Sequence, residues 1–217
     1  MRAATLSVFL STAIAASYLL GGCSSSSSPA ATTGGGGSTG AAGAGAGGGA
    51  QLGPGAVLKC DSSGKNAWET YGVGAFVAVN EEIFTEVGAE ITKNGTANLG
   101  TSFTKIGTGN PPSTADDAAT FKGNLAAFLV FAYGGPSNIT YTDGKMYTGP
   151  QDMVAAHLGL AITSAQYDYF VGNIIVPSLL AKGVKHGKGG AADPDDVSSC
   201  FAPIVLDAAF KASIVGH

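Results

Sequence analysis

From Val73 onward the apolar residues recur at intervals of three and four, and this spacing limits the possible folds more than any other feature of the chain. Phe76, Val77, Ile83, Phe84 and Val87 follow the 3.6-residue period of one helix face. Phe121, Leu125, Phe128 and Leu129 do the same further along. So do Tyr167, Phe170, Val171, Ile174, Ile175 and Leu179, and then Val197, Phe201, Ile204, Val205 and Ala208. No segment alternates convincingly as a half-buried strand would. The pattern predicts an all-α domain of about five main helices. Asn80 falls on the apolar face of the first and is a candidate buried polar group. Asp116 and Asp117 suit the first turn of a helix starting near Ser113 or Thr114, and Gly134-Gly135-Pro136 terminates it. Residues 94–114 and 137–149 read as loops, the former carrying Leu99 and Phe103 as apolar anchors. A short helix is expected from Pro150 through His157, ending at Gly159. Thr163 or Ser164 caps the next, which Pro177 kinks. Residues 183–192 read as a loop. The last helix begins near Asp193 to Asp196 and bends at Pro203.

The chain ahead of this domain has a different character. Met1 and Arg2 open a mostly apolar segment that reaches Leu20-Gly21-Gly22-Cys23. A charged start, an apolar core and small residues before a cut site make a secretory signal, expected here at residues 1–22. The Leu-small-small-Cys run resembles the lipobox of bacterial lipoproteins. That resemblance implies a lipid on Cys23 and a protein anchored to the cell envelope outside the cytoplasm, in the periplasm or at the outer membrane. The other reading is an ordinary cleaved signal with an incidental cysteine. Residues 23–56 then form a flexible linker. Gly34 to Ala50 contains only Gly, Ser, Thr and Ala, with too little to bury to offset the entropy of ordering. As a coil the tether spans roughly 30 Å. Its glycines are no phosphate loop, because no Gly-Lys-Ser/Thr follows them. Nor does any later segment offer the roughly 20 apolar residues of a membrane-spanning helix.

The folded domain is expected over residues 57–217. Arg2 is the only arginine and leaves with the signal, so ten lysines face fifteen acids and the remaining charge is near −5. No basic cluster stands out, and nucleic acid is not an expected partner. Cys60 and Cys200 lie near opposite ends of the domain, in a compartment that favours pairing. A bridge would close a loop of about 140 residues and contribute roughly 4–5 kcal/mol in the chain-entropy model. Two unpaired thiols are the alternative.

Only three histidines are present. A structural zinc site needs about four His or Cys ligands, which this chain does not supply. His186 sits in a Gly/Lys loop and reads as solvated, and His217 reads as frayed. His157 is different, because it lies in the helical stretch DMVAAHLGLAIT, one turn after Met153. It is either a core histidine with a satisfied hydrogen bond or a single imidazole facing a flat apolar cavity. The latter is how a proximal ligand meets haem iron.

Two motifs bear on that choice. Phe121-Lys122-Gly123-Asn124-Leu125-Ala126-Ala127-Phe128 with Tyr133-Gly134-Gly135-Pro136 resembles the distal helix of group I truncated haemoglobins. Tyr147-Thr148-Gly149, Asp152-Met153 and Ala156-His157-x-Gly159-Leu160-x-Ile162-Thr163 are similar to that family's proximal segment. The likeness covers roughly residues 118–182, with a weaker stretch from Trp68 to Val87. It implies a truncated globin, a two-on-two helical sandwich around non-covalent haem b. By the same likeness His157 binds the iron, Phe103 packs on the haem face, and Phe121, Leu125, Phe128 and Met153 line the pocket. No Cys-x-x-Cys-His is present for covalent attachment.

The chain departs from the family where bound dioxygen is hydrogen-bonded. Ungapped counting puts Phe84 and Thr85 where many members carry a distal tyrosine, and Leu125 where a glutamine often stands. The expected function is reversible binding of dioxygen or another diatomic ligand outside the cytoplasm, with fast dioxygen release. Nitric oxide dioxygenase turnover would need an electron donor, and the chain carries no flavin or nicotinamide module. The alternatives are a cell-surface haem carrier or sensor, and a structural helical lipoprotein that has lost haem.

Overall fold

The computed structural model describes residues 53–93, 95, 97–107, 118–188 and 193–217. The expected signal peptide, Cys23 and most of the tether lie outside the described residues. So do Pro111-Pro112, Asp116, Asp117 and the expected helix start at Ser113 or Thr114.

Helix α1 spans Ala67–Thr92 and begins earlier than the periodicity indicates. The reason is a capping box. The Asn66 side chain accepts from the Glu69 backbone at 2.8 Å, and the Glu69 carboxylate accepts from the Asn66 backbone at 3.1 Å. Gly72, at φ 72° and ψ 170°, kinks the helix just before Val73, where the apolar repeat starts. Helix α2 (Gly100–Gly107) lies within the segment expected to be a loop. A glycine at each end and hydroxyls between disguise it. Helix α3 is Ala118–Ala132, and the chain turns at Gly134-Gly135 as expected.

Two strands correct the purely helical expectation. β1 (Asn138–Thr140) and β2 (Met146–Thr148) pair antiparallel, with Ile139 opposite Tyr147. Three residues each are too few for alternation to register in the sequence. The hairpin rests on α3 through two glycines. A Cβ at Gly123 would meet the Tyr147 ring, and one at Gly149 would meet the Phe128 backbone.

Helix α4 (Met153–His157) is capped by Asp152, whose carboxylate accepts from the Ala155 backbone at 3.0 Å. Helix α5 (Ser164–Phe170) starts with a Thr163–Gln166 capping box. It continues through a π-helical turn, Val171–Ile175, into α6 (Val176–Ala181). A second π-helical turn, Val197–Phe201, leads into α7 (Ala202–Val205). Both wide turns come just ahead of a proline, Pro177 or Pro203. A proline ring crowds the carbonyl four residues back, and a widened turn relieves that contact. The expected single last helix also breaks at Leu206. Helix α8 (Ala208–Ala212) restarts under an Asp207 cap.

The molecule is thus mostly helical. Helix α1 packs on α3, on α6 and on the Val171–Ile175 turn, and the hairpin covers part of α3. Phe76, Ile83, Val130, Ile174 and Phe201 are buried in the shared core. Asn80 is fully buried there, as expected, and donates to the Lys122 carbonyl and the Tyr141 hydroxyl, both at 3.0 Å. Cys60 and Cys200 form a disulfide with their Cα atoms 4.9 Å apart. Beside it the buried Asp196 carboxylate accepts from the Ser62 backbone and hydroxyl and from the Tyr71 hydroxyl. Burial alone would raise the Asp196 carboxyl, but these donors outweigh it and hold it below the usual range. Residues 53–56, expected to belong to the tether, are part of the domain. Gly53 and the 3-10 turn Pro54–Val57 lie so close to the backbone of Phe131–Tyr133 that side chains at Gly53 and Gly55 would collide with it. No described helix is long and apolar enough to cross a membrane.

Candidate functional site

Helices α1 to α5, with α7 and α8, line a cavity of about 180 Å³. Its wall is largely aliphatic and aromatic. Phe103, Phe121, Leu125, Phe128, Met153 and His157 all line it, so six side chains drawn from three separate stretches of sequence meet at one place. The aromatic rings brace one another. Phe103 stands edge-on to Phe121, with centroids 6.1 Å apart, and packs on Phe170 at the same distance. Phe128 stacks on Phe210 at 6.2 Å. Leu99, expected as an anchor, also reaches the cavity.

Phe84 corrects the expectation. It does not line the cavity. Its ring packs edge-on to Phe121 at 5.4 Å, under the Lys122 ammonium at 5.0 Å. Ile83, about 100° away around the helix, takes the lining position. Thr85 is exposed, and its hydroxyl donates back to the Glu81 carbonyl at 3.1 Å. It therefore offers nothing to the cavity.

His157 closes α4 and turns its ring toward the cavity. Its Nδ1 lies 2.7 Å from the Met153 carbonyl. A carbonyl oxygen can only accept, so Nδ1 carries the proton and Nε2 keeps its lone pair. Burial lowers the ring's proton affinity below its ordinary value. The bond to Met153 works the other way, and the nearby His217 adds a further decrease. The imidazole is neutral at pH 7, with one nitrogen available to a Lewis acid. A second-sphere carbonyl holding Nδ1–H is the usual support for a metal-binding histidine.

Several polar groups on the wall are already engaged. Tyr167 donates to the Val205 carbonyl at 2.7 Å and Tyr133 to the Phe201 carbonyl at 3.1 Å. The Gln166 amide donates to the Asn98 carbonyl at 3.1 Å and to the Thr101 hydroxyl at 3.3 Å, while its oxygen serves the Thr163 cap. Sequence reasoning missed Gln166, although its place in a capping box after Thr163 is a legible signal. Ser102 and Asn124 also border the cavity.

His186 is exposed, as expected, whereas the His217 backbone and ring are both hydrogen-bonded. His186 Nδ1 lies 3.0 Å from Asp195. The His217 carbonyl accepts from the Ala161 backbone at 2.5 Å, and its ring Nε2 lies 3.2 Å from the Ala212 carbonyl.

Among the described residues no group of three or more His, Cys, Asp or Glu could hold a bare metal ion. A porphyrin brings four nitrogens of its own, so one imidazole at an apolar slot suffices. The donor set fits haem in that sense and a free cation poorly. No family model, curated protein or solved structure matches the chain.

Proposed function

We propose that this chain is a haem-binding protein of the truncated-haemoglobin type that reversibly binds dioxygen or another diatomic ligand. The observation that carries this reading is His157, a neutral imidazole with its Nδ1–H engaged by Met153 and its Nε2 free to face an apolar cavity. In this reading haem b, when bound, would supply an iron able to take a diatomic ligand, and His157 would be the residue that ligates it. Phe103, Phe121, Leu125, Phe128 and Met153 exclude water from the ring, which favours retention of an apolar plate. The helices around the cavity then act as the two-on-two sandwich implied by the motifs.

The chain's own residues also set the ligand's surroundings. Phe121, Leu125 and Ile83 offer no hydrogen bond to a partly negative dioxygen. A donor there would be worth about 1–3 kcal/mol, so dioxygen should leave quickly. We further propose that Cys23 carries a lipid and holds the domain at the cell envelope outside the cytoplasm. Incorporation of labelled fatty acid that survives in a Cys23→Ala variant would refute this.

The decisive test is absorption spectroscopy of the purified protein supplied with haemin, in ferric, ferrous and carbon monoxide-bound forms. The expected result is one haem per chain and an intense Soret band that moves with carbon monoxide. His157→Ala should lose the band or alter it, with partial recovery on adding free imidazole. A folded helical protein that takes up no stoichiometric haem would overturn the proposal.

A further inference from the structure

The turn that leaves His157 is held more firmly than a connector between two helices needs. Helix α4 is five residues long, far too short to be stable alone. Asp152 secures its first turn. Its other end carries His157 and passes at once into a tight turn through Leu158 and Gly159, the latter at φ +83°. One local hydrogen bond closes the turn there, and the rest of its support comes from elsewhere in the fold.

Two distant parts of the chain provide it. On α2, the Lys105 ammonium donates to the Gly159 carbonyl at 3.2 Å and the Leu160 carbonyl at 3.3 Å. After α8, Gly216 and His217 pair with the backbone of Ala161 and Ile162. The Ala161 N–H donates to the His217 carbonyl, and the Gly216 N–H donates to the Ile162 carbonyl at 2.9 Å. Within the turn, the Leu160 N–H returns to the His157 carbonyl at 3.0 Å. Ala161 adopts φ +52°, a left-handed conformation that a residue with a Cβ rarely takes. Such a conformation persists only where its surroundings over-determine it, and here those surroundings are Lys105 and the Gly216–His217 backbone.

We propose that Lys105 and the Gly216–His217 segment are positioning elements for His157, clamping the turn behind it and so fixing where Nε2 stands at the cavity. This rests on the haem-binding reading for its functional meaning, though not for its geometry. The same α2 that carries Lys105 also places Phe103 in the cavity wall. One element thus orients both a wall ring and the turn behind the imidazole.

The test uses the full chain, a variant lacking Gly216 and His217, Lys105→Met, and Lys105→Arg as the conservative rescue. With haem bound, resonance Raman spectra of the ferrous form report the iron–histidine stretch. Haemin transfer to an excess of a high-affinity apoglobin reports retention. The expected result is a shifted or broadened stretch and at least tenfold faster haemin loss in the deletion and in Lys105→Met, with Lys105→Arg close to the parent. An unchanged stretch and unchanged loss rate in a deletion variant of normal helicity would overturn the clamp. If the parent takes up no haem, the haem reading fails by itself. The clamp is then read from ¹⁵N shifts of the His157 ring in the haem-free protein. There the deletion should mix the tautomers, and a pure Nδ1–H tautomer in the deletion would sink the idea.

Discussion

At the scale of single residues, His157 shows how little a backbone needs to do to set the state of an imidazole. One carbonyl, four residues back, selects the tautomer and so leaves Nε2 with its lone pair. Much of the cavity wall is apolar. Leu125 lines the cavity and has no donor to offer. If the protein binds haem as proposed, Leu125→Gln should slow dioxygen dissociation by roughly tenfold or more, since a charge-assisted hydrogen bond contributes about 1–3 kcal/mol and about 1.4 kcal/mol is tenfold in rate. Stopped-flow displacement of dioxygen by carbon monoxide measures it. An equal or faster off-rate would mean that position 125 does not face the ligand. His157, Phe121, Leu125, Phe128 and Met153, singled out by the motif resemblance, all line one cavity, since a helical repeat and an ordered motif are both written along the chain. Phe84 came from ungapped counting along the resemblance, which fixes a position on a helix no better than to a residue, and it does not line the cavity. One residue of error is a 100° rotation, enough to exchange Phe84 for Ile83.

At the scale of elements, the hairpin and α3 depend on close approach. Gly149 lies against the Phe128 backbone, and Phe128 in turn lines the cavity. Gly149→Ala should cost about 1–3 kcal/mol, as overpacking does, and should weaken haem retention along with stability. Thermal melts with and without haemin separate the two effects, and an unchanged midpoint would refute the contact. Helix α2 and the two strands escaped sequence reading for a common reason. Each is short and rich in Gly, Thr or Asn, and each is stabilised by what it packs on rather than by its own propensity. The capping boxes at Asn66–Glu69 and Thr163–Gln166 are the opposite case, since their donors and acceptors lie within four residues of each other.

At the scale of the whole molecule, the Cys60–Cys200 bridge and the Asp196 brace tie the start of the domain to its last helical segments. Replacing both cysteines with serine should lower unfolding stability by roughly 4–5 kcal/mol at most, the chain-entropy limit for so long a loop. Urea titration of the two forms checks it. Acid should destabilise the haem-free protein in two windows. His157 has a folded pKa below its unfolded value, so between the two the unfolded chain binds more protons. That stability is complete above about pH 6.5 and is lost as the pH falls through the folded pKa. The same sign applies to Asp196, whose contribution is present above the ordinary aspartate range and is lost as the pH falls through its depressed pKa. Melts from pH 8 to pH 3 should show both steps, and His157→Gln should remove only the first. Persistence of the first step in that variant would assign it to another group.

Helix periodicity, the turn signals, the lone histidine in its motif and the possibility of a Cys60–Cys200 bridge all follow from the sequence alone. Each depends on residues near one another in the chain or on the count of a rare residue type. Tertiary structure decided that the bridge forms, that Ile83 rather than Phe84 reaches the cavity, and that Lys105 and Gly216–His217 close around the turn after His157. Those contacts join residues about 50 to 140 positions apart. Local propensity carries no information about such pairs, because their geometry exists only once the helices have packed.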